Sequence, residues 1–173
     1  MINVITQAQL DAVVKEAYDH AHAYCHYAPT DQSFPVGEDG KMDCTGIILR
    51  SLWWLDLIHE PLNCDQIDAM MGQLGFVKST DPEDVYRYHG FVQWCEPHNV
   101  GTGHVNHTYY SLGGDGQTIS KYDFGSEPRL RAIQPYVGVS ADEWYGKYIF
   151  SHMWILPDMP HKSDEGIYIE IGD

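Results

Sequence analysis

A change of residue pattern near Phe76 constrains the fold of this chain more than any other feature. Before it, apolar residues recur at the spacing of amphipathic helices, whereas after it aromatic and β-branched runs are broken by turn residues. Helices followed by antiparallel strands are typical of α+β domains rather than of alternating α/β folds. We therefore predict an α+β fold. A length of 173 residues with 43% hydrophobic content is enough for one core, so we expect a single domain over residues 1–173.

Three helices are predicted before Phe76, because apolar residues recur at helical spacing next to residues that are typical of helix ends. The first and third begin with capping-box signatures, Thr6-x-x-Gln9 and Asn63-x-x-Gln66. The expected helical segments are residues 8–24, 47–58 and 63–75.

Strands are predicted after Phe76 wherever a β-branched or aromatic run lies between turn residues. The expected strands lie in FVKST, DVYRYHGFVQWC, HVNHTYYSL, QTISKYDF, KYIFSHMWIL and GIYIEI. The segment LGGDGQ, residues 112–117, predicts a hairpin between two of them.

The charge of the chain excludes some partners. Its 25 acidic residues against 10 basic ones give a formal net charge of −15, which leaves no broad basic surface for nucleic acid or anionic membranes. No apolar run is long enough to span a membrane, and the N-terminus lacks the pattern of a signal peptide. The expectation is a protein that is cytoplasmic, or released without a visible signal peptide.

The four cysteines are few and irregularly spaced, which predicts reduced thiols rather than a disulfide framework. One of them, Cys44, stands in the pattern Asp43-Cys44-Thr45-Gly46, where a polar loop gives way to an apolar helix. The backbone N–H groups and the dipole at a helix N-terminus favour a thiolate, which is the nucleophilic form of cysteine. Cys44 is therefore a candidate nucleophile. The alternative is an inert buried thiol, because free cysteine is among the most buried residue types.

A nucleophilic thiol needs a base, and two histidines lie on one predicted strand. His104 and His107 are three residues apart, which would place them on opposite faces of that strand. At most one of them can then face Cys44. His104 is followed by Val105, and His107 begins the run His-Thr-Tyr-Tyr-Ser-Leu-Gly.

Two motifs resemble those of the NlpC family of papain-like cysteine peptidases. Asp-Cys-Thr-Gly-Ile-Ile from Asp43 is similar to the family's D-C-S-G-L-V, and the run from His107 is similar to its H-V-G-I-Y-L-G. The resemblance covers roughly residues 20 to 125. It implies a papain-like fold, in which the helix that begins with Cys44 packs on an antiparallel sheet and a strand supplies His107 as general base.

The resemblance also implies a reaction and a substrate. Members of the family typically hydrolyse peptidoglycan stem peptides, often between D-glutamate and a diamino acid, and related enzymes are amidases. The implied protein is a bacterial or phage cysteine hydrolase without a metal or other cofactor, acting on a peptide or muropeptide of the cell wall. The acidic balance favours a substrate with a free amine or a small neutral peptide.

The third catalytic residue is less determined than the first two. The family usually has a histidine shortly after the hairpin, and none stands between residues 117 and 124. A tight turn sets His107 opposite Tyr122 with Ser120 diagonal to it, whereas one bulged residue sets it opposite Asp123. We favour Asp123, because a carboxylate fixes the tautomer of the base and stabilises the imidazolium.

A family tyrosine upstream of the nucleophile corresponds to Tyr27, although Ala28 and Pro29 follow it here in place of a glycine pair. Tyr27 is therefore a candidate substrate-binding residue.

Two other functions remain open from the sequence. Four residues have ligand types and spacing that can suit zinc: Cys95, His98, His104 and His107. The second function is that of a catalytically inactive papain-like module, which would bind sugar or peptide through the many aromatic residues of the chain.

Overall fold

A computed structural model describes residues 2–27, 34–99, 101–105, 107–112, 117–119, 134–135, 149–155 and 166–170. The fold is α+β, as predicted: helices in the first half of the chain precede an antiparallel sheet. No helix in the described ranges is long and apolar enough to cross a membrane.

Three helices form where the sequence predicts them. They are α1 (Gln7–Tyr24), α2 (Cys44–Trp54) and α3 (Cys64–Met70). Both predicted capping boxes are confirmed. The Thr6 side chain accepts from the backbone N–H of Gln9, whose side chain accepts from the backbone N–H of Thr6. Asn63 and Gln66 form the same two hydrogen bonds at the start of α3. The second and third helices end sooner than predicted, and after the third the chain turns through Gly75, which has a φ of 100°.

The main sheet has six antiparallel strands. They are β4 (Val77–Ser79), β5 (His89–Cys95), β6 (His107–Leu112), β7 (Gln117–Ile119), β8 (Gln134–Pro135) and β9 (Ile149–Ile155), in the order β4-β9-β5-β6-β7-β8. Two further strand pairs are separate from it: β1 (Ile2–Thr6) pairs with β10 (Gly166–Glu170), and β2 (His26–Tyr27) forms a short parallel pair with β3 (Lys41–Met42).

The two faces of the sheet carry different cores. The face that we term the helix-covered face holds Phe91, Tyr110 and Trp154 against the apolar side chains of α1, α2 and α3. The Tyr110 hydroxyl donates to Asp11 on α1, which fixes this face against the helices. On the opposite face, Val92 and Met153 pack with Val85 of the short helix α4 (Asp84–Arg87), so we term it the α4 face.

Three strand assignments from sequence need correction. The segment DVYR forms α4 instead of a strand, because Arg87 donates to Asp81 and Asp84 and so stabilises one helical turn before β5 begins. The strand predicted in HVNHTYYSL, β6, begins at His107 rather than near His104. Residues 2–6, for which no strand was predicted, pair with β10 near the other end of the chain.

Candidate functional site

Cys44 is the first residue of α2, as the sequence predicts. The carboxylate of Asp43 caps this helix by accepting from the backbone N–H of Gly46 at 2.9 Å. The Cys44 side chain is 7% exposed, and its Sγ lies 3.9 Å from the hydroxyl oxygen of Thr45. The first-turn N–H groups and the helix dipole favour negative charge at this position.

A second thiol, that of Cys64, lies at the start of α3 in the same region. Its Sγ donates to the carbonyl oxygen of Val105 at 3.1 Å. The pKa of the Cys64 thiol is raised to about 12, mainly by burial and in smaller part by the neighbouring charges of Cys44, Asp65 and Asp43. Cys64 therefore stays a neutral thiol at physiological pH.

Asp65 joins the start of α3 to the loop that precedes β6. One carboxylate oxygen accepts from the Val105 backbone N–H at 2.9 Å, and the other lies 2.7 Å from Nδ1 of His104. A carboxylate only accepts, so Nδ1 carries a proton and Nε2 is the nitrogen that can take one. Both side chains are 46% exposed, which leaves the ring accessible to solvent.

The loop that carries His104 has a defined shape. Gly101 and Gly103 have φ values of 80° and 85°, a region that glycine adopts without strain. The Thr102 hydroxyl donates to Asn99 and accepts from the backbone N–H of His104. His104 therefore lies in the loop before β6, so the prediction that His104 and His107 lie on opposite faces of one strand is wrong.

His107 is the first residue of β6 and is 1% exposed. It pairs across the strands with Trp94, whose ring packs in the cluster on the α4 face. Four positions further along the strand, on the same face by alternation, the hydroxyl of Ser111 donates to the backbone oxygen of Val85 in α4. Alternation thus assigns the His107 side chain to the α4 face, although α2 packs on β6 from the helix-covered face.

The remaining predicted site residues are only partly described. Asp123, favoured as the third catalytic residue, lies outside the described residues, as do Ser120 and Tyr122. The described part of the hairpin pairs Tyr110 with Ile119, which is the register expected without a bulge. The backbone of Tyr27 pairs with Met42, two residues before Cys44, while its side chain is outside the described set.

The four candidate zinc ligands have separate surroundings. Cys95 is buried at the end of β5. Burial raises the pKa of its thiol, and a hydrogen bond with Ser151 offsets only part of this increase. His98 is exposed beside Glu96, while His104 binds Asp65. Across the described ranges, no three side chains of histidine, cysteine, aspartate or glutamate converge in a way that could hold a metal ion.

The helix-covered face also holds a buried polar cluster that the sequence pattern does not predict. Asp68 of α3, 6% exposed, accepts from Nε2 of His152 at 2.9 Å and from the indole N–H of Trp154 at 2.6 Å. A bulge in β9 turns Ser151 to the same side, where its hydroxyl lies 2.8 Å from Nδ1 of His152. The only signal in the sequence is an aspartate inside an apolar helical pattern.

Comparisons of the chain with protein-family models, with characterised proteins and with solved structures gave no match.

Proposed function

We propose that the chain is a cysteine hydrolase with a papain-like arrangement, in which Cys44 is the nucleophile that cleaves an amide bond. The observation that carries the proposal is the position of Cys44 as the first residue of α2, at a capped helix N-terminus. An ordinary structural cysteine does not need this position, whereas a thiolate nucleophile is stabilised by it.

The proposed reaction is acyl transfer. The Cys44 thiolate attacks the amide carbonyl and forms a carbon–sulfur bond, and an imidazolium gives its proton to the amine as the carbon–nitrogen bond breaks. Water then gives a proton to the imidazole and attacks the thioester, which releases a carboxylic acid and restores the thiolate. The backbone N–H of Cys44, in the first turn of α2, is suited to donate to the developing oxyanion.

The proposed substrate is a peptidoglycan stem peptide, cut between D-glutamate and a diamino acid. Support for this comes from the two motifs that begin at Asp43 and His107 and resemble those of the NlpC family. The free amine of a diamino acid also suits a protein with a formal charge of −15. The biological setting proposed is bacterial or phage, with the cell wall as the site of action.

The test is hydrolysis of purified muropeptides, followed by mass spectrometry of the products. We expect the wild-type protein to release two fragments and Cys44→Ser to release none, because a serine hydroxyl is a far weaker nucleophile than a thiolate without its own activation. The matched control is Cys25→Ser, since Cys25 is a buried thiol that belongs to the core between α1 and the loop at Gly37.

Two outcomes would contradict the proposal. Cleavage that survives Cys44→Ser would assign the activity to another group. Muropeptide binding without cleavage by the wild-type protein would favour the inactive binding module.

A further inference from the structure

We propose that Ser151, His152 and Asp68 form a second acyl-transfer site, in which Ser151 is the nucleophile that hydrolyses esters of short-chain carboxylic acids. The three residues lie on β9 and α3 and include none of those proposed for amide cleavage, so this site is independent of Cys44.

The three side chains form one hydrogen-bonded chain. Nε2 of His152 lies 2.9 Å and 3.1 Å from the two carboxylate oxygens of Asp68, and Nδ1 lies 2.8 Å from the Ser151 hydroxyl oxygen. Because a carboxylate only accepts, the ring proton lies on Nε2, and Nδ1 can take the hydroxyl proton. A hydroxyl nucleophile, an imidazole base and an orienting carboxylate act together in this way in serine hydrolases, although the two ring nitrogens there have the opposite partners.

Exposure differs among the three side chains as their roles require. His152 is 3% exposed and Asp68 is 6% exposed, whereas Ser151 is partly exposed. A nucleophile must reach its substrate, while a base and its carboxylate interact more strongly where water is excluded. The Asp68 carboxylate also accepts from the indole N–H of Trp154, so hydrogen bonds from the protein replace its solvent.

A bulge in β9 brings Ser151 to the base. The register shifts between Gln93 and Trp94 of β5, and Ser151 is the extra residue of β9 at this point. Adjacent side chains of a regular strand lie on opposite faces, so Ser151 and His152 meet only because the strand is irregular. A cluster with a purely structural role needs His152 and Asp68, but it does not need this redirected hydroxyl.

A buried amide lies beside the base. Gln93 is 1% exposed and pairs with His152 across the strands, so their side chains share a face. Within the part of the chain that the structure describes, Oε1 of Gln93 accepts no hydrogen bond. A buried oxygen without a donor is costly unless a ligand supplies one. Gln93 can therefore accept from the water that attacks the acyl-serine.

The reaction has two steps. The Ser151 oxygen attacks the ester carbonyl carbon as Nδ1 of His152 takes its proton, and the imidazolium returns that proton to the alcohol oxygen as the carbon–oxygen bond breaks. Water then gives a proton to Nδ1 and attacks the acyl-serine. The bond to Ser151 breaks, its oxygen takes the proton back, and a carboxylic acid leaves.

Two features favour an ester of a small acid. The Trp154 ring packs edge-on against the His152 imidazole with ring centroids 5.7 Å apart, and both side chains are buried, so space for the acyl group is confined. An alcohol is also a better leaving group than an amine. Cys95, which forms a hydrogen bond with Ser151, is fully buried and does not compete as the nucleophile.

The test is covalent labelling of the whole chain by a short-chain alkyl fluorophosphonate, with tryptic peptides read by mass spectrometry. The peptide of residues 148–162 contains Ser151 as its only serine. We expect Ser151 to be labelled about a hundredfold faster than Ser79 or more, because a positioned base contributes at least that factor. Ser79 is the internal control, since it is also partly exposed but its hydroxyl donates to the carboxylate of Asp84 without an imidazole.

Two substitutions separate catalysis from structure. His152→Gln keeps a side-chain N–H that can donate to Asp68, and it should reduce the labelling of Ser151 to the rate of Ser79. Asp68→Asn still accepts from Trp154, but its amide can donate to Nε2 and so move the ring proton to Nδ1, where it blocks the base. Labelling should then fall about tenfold or more. The nitrogen chemical shifts of the His152 ring report this change of tautomer, which a merely structural role for Asp68 does not require.

Two results would overturn the proposal. In the wild-type protein, a labelling rate of Ser151 no higher than that of Ser79 would show that the cluster is only structural, and this comparison needs no variant. Labelling at the wild-type rate in folded His152→Gln, judged by circular dichroism, would show that His152 is not the base. Both results are read at Ser151 itself, so they leave the role of Cys44 to the muropeptide assay.

Discussion

At the scale of single residues, the four thiols of this chain have different environments. Cys25 is fully buried and lies 3.5 Å from the carbonyl oxygen of Gly37, while Cys64 donates to Val105. Burial is the main cause that raises the pKa of Cys25 to about 11 and that of Cys64 to about 12. Cys44 differs from both because it lies at a capped helix N-terminus.

Cys25 and Cys64 should therefore react slowly with iodoacetamide. At about pH 8 we expect each to be alkylated at least about tenfold more slowly than in the denatured chain, because the thiolate is the reacting form. Peptide mass spectrometry of the native protein over time measures each rate. Equal rates in native and denatured protein would show that these thiols are not buried.

The same shifts have a consequence for stability. The pKa of both thiols is higher in the folded state than the ordinary value of 9.0, so folding favours the neutral form. Their contribution to stability is fully present below pH 9.0 and is lost as the pH rises through the folded-state values. Alkaline pH should thus weaken the fold.

At the scale of elements, local signals in the sequence predict where the helices begin better than where they end. The capping boxes at Thr6 and Asn63 and the helix that begins with Cys44 depend on residues within one turn of each other. The ring of His104 and the carboxylate of Asp65 are 39 positions apart, so no local pattern reveals their contact. The strand begins at His107, later than its composition predicts, because a turn through Gly101 and Gly103 precedes it.

Close packing between β5 and β9 makes one glycine necessary. A Cβ atom on Gly90 would clash with the backbone oxygen of Trp154 and lie 2.9 Å from the Ile155 side chain. Backbone atoms cannot move aside cheaply, so Gly90→Ala should lower the free energy of unfolding by about 2 kcal/mol or more. Urea denaturation followed by circular dichroism measures the change.

The matched control is Gly72→Ala. A Cβ atom there would come no closer than 3.8 Å to the Trp154 ring, which is ordinary van der Waals contact. We expect this variant to unfold within about 0.5 kcal/mol of the wild type. Equal losses from both substitutions would show that the strands are not packed as described.

At the scale of the whole molecule, buried polar contacts join the helices to the sheet. Asp68 of α3 binds His152 and Trp154 of β9, and Asp11 of α1 binds Tyr110 of β6. The α+β class and the order of elements follow from residue periodicity alone. The contacts between helices and sheet cannot be predicted from periodicity. The partners of Asp68 lie more than eighty positions away in the sequence, and they approach it only when the helices pack on the sheet.

Removal of the Asp68 carboxylate should destabilise the whole fold. Asp68→Ala leaves the ring N–H of His152 and the indole N–H of Trp154 buried without their acceptor, at a cost of about 3 kcal/mol. The control is Glu83→Ala, which removes an exposed carboxylate and should change stability by less than about 0.5 kcal/mol. Thermal unfolding compares the two variants, and similar melting temperatures would contradict the account of this contact.

The most direct test of the central claim compares the reactivity of Cys44 in the native protein with its reactivity in the denatured chain. The rate of its alkylation by iodoacetamide is measured at about pH 6 in the native protein and in the denatured chain, where an ordinary thiol is almost fully protonated. We predict that native Cys44 reacts at least about tenfold faster than denatured Cys44, because the helix N-terminus and an imidazolium stabilise its thiolate. A native rate equal to or below the denatured rate would show that Cys44 is an inert buried thiol, and the proposed hydrolase activity would have no nucleophile.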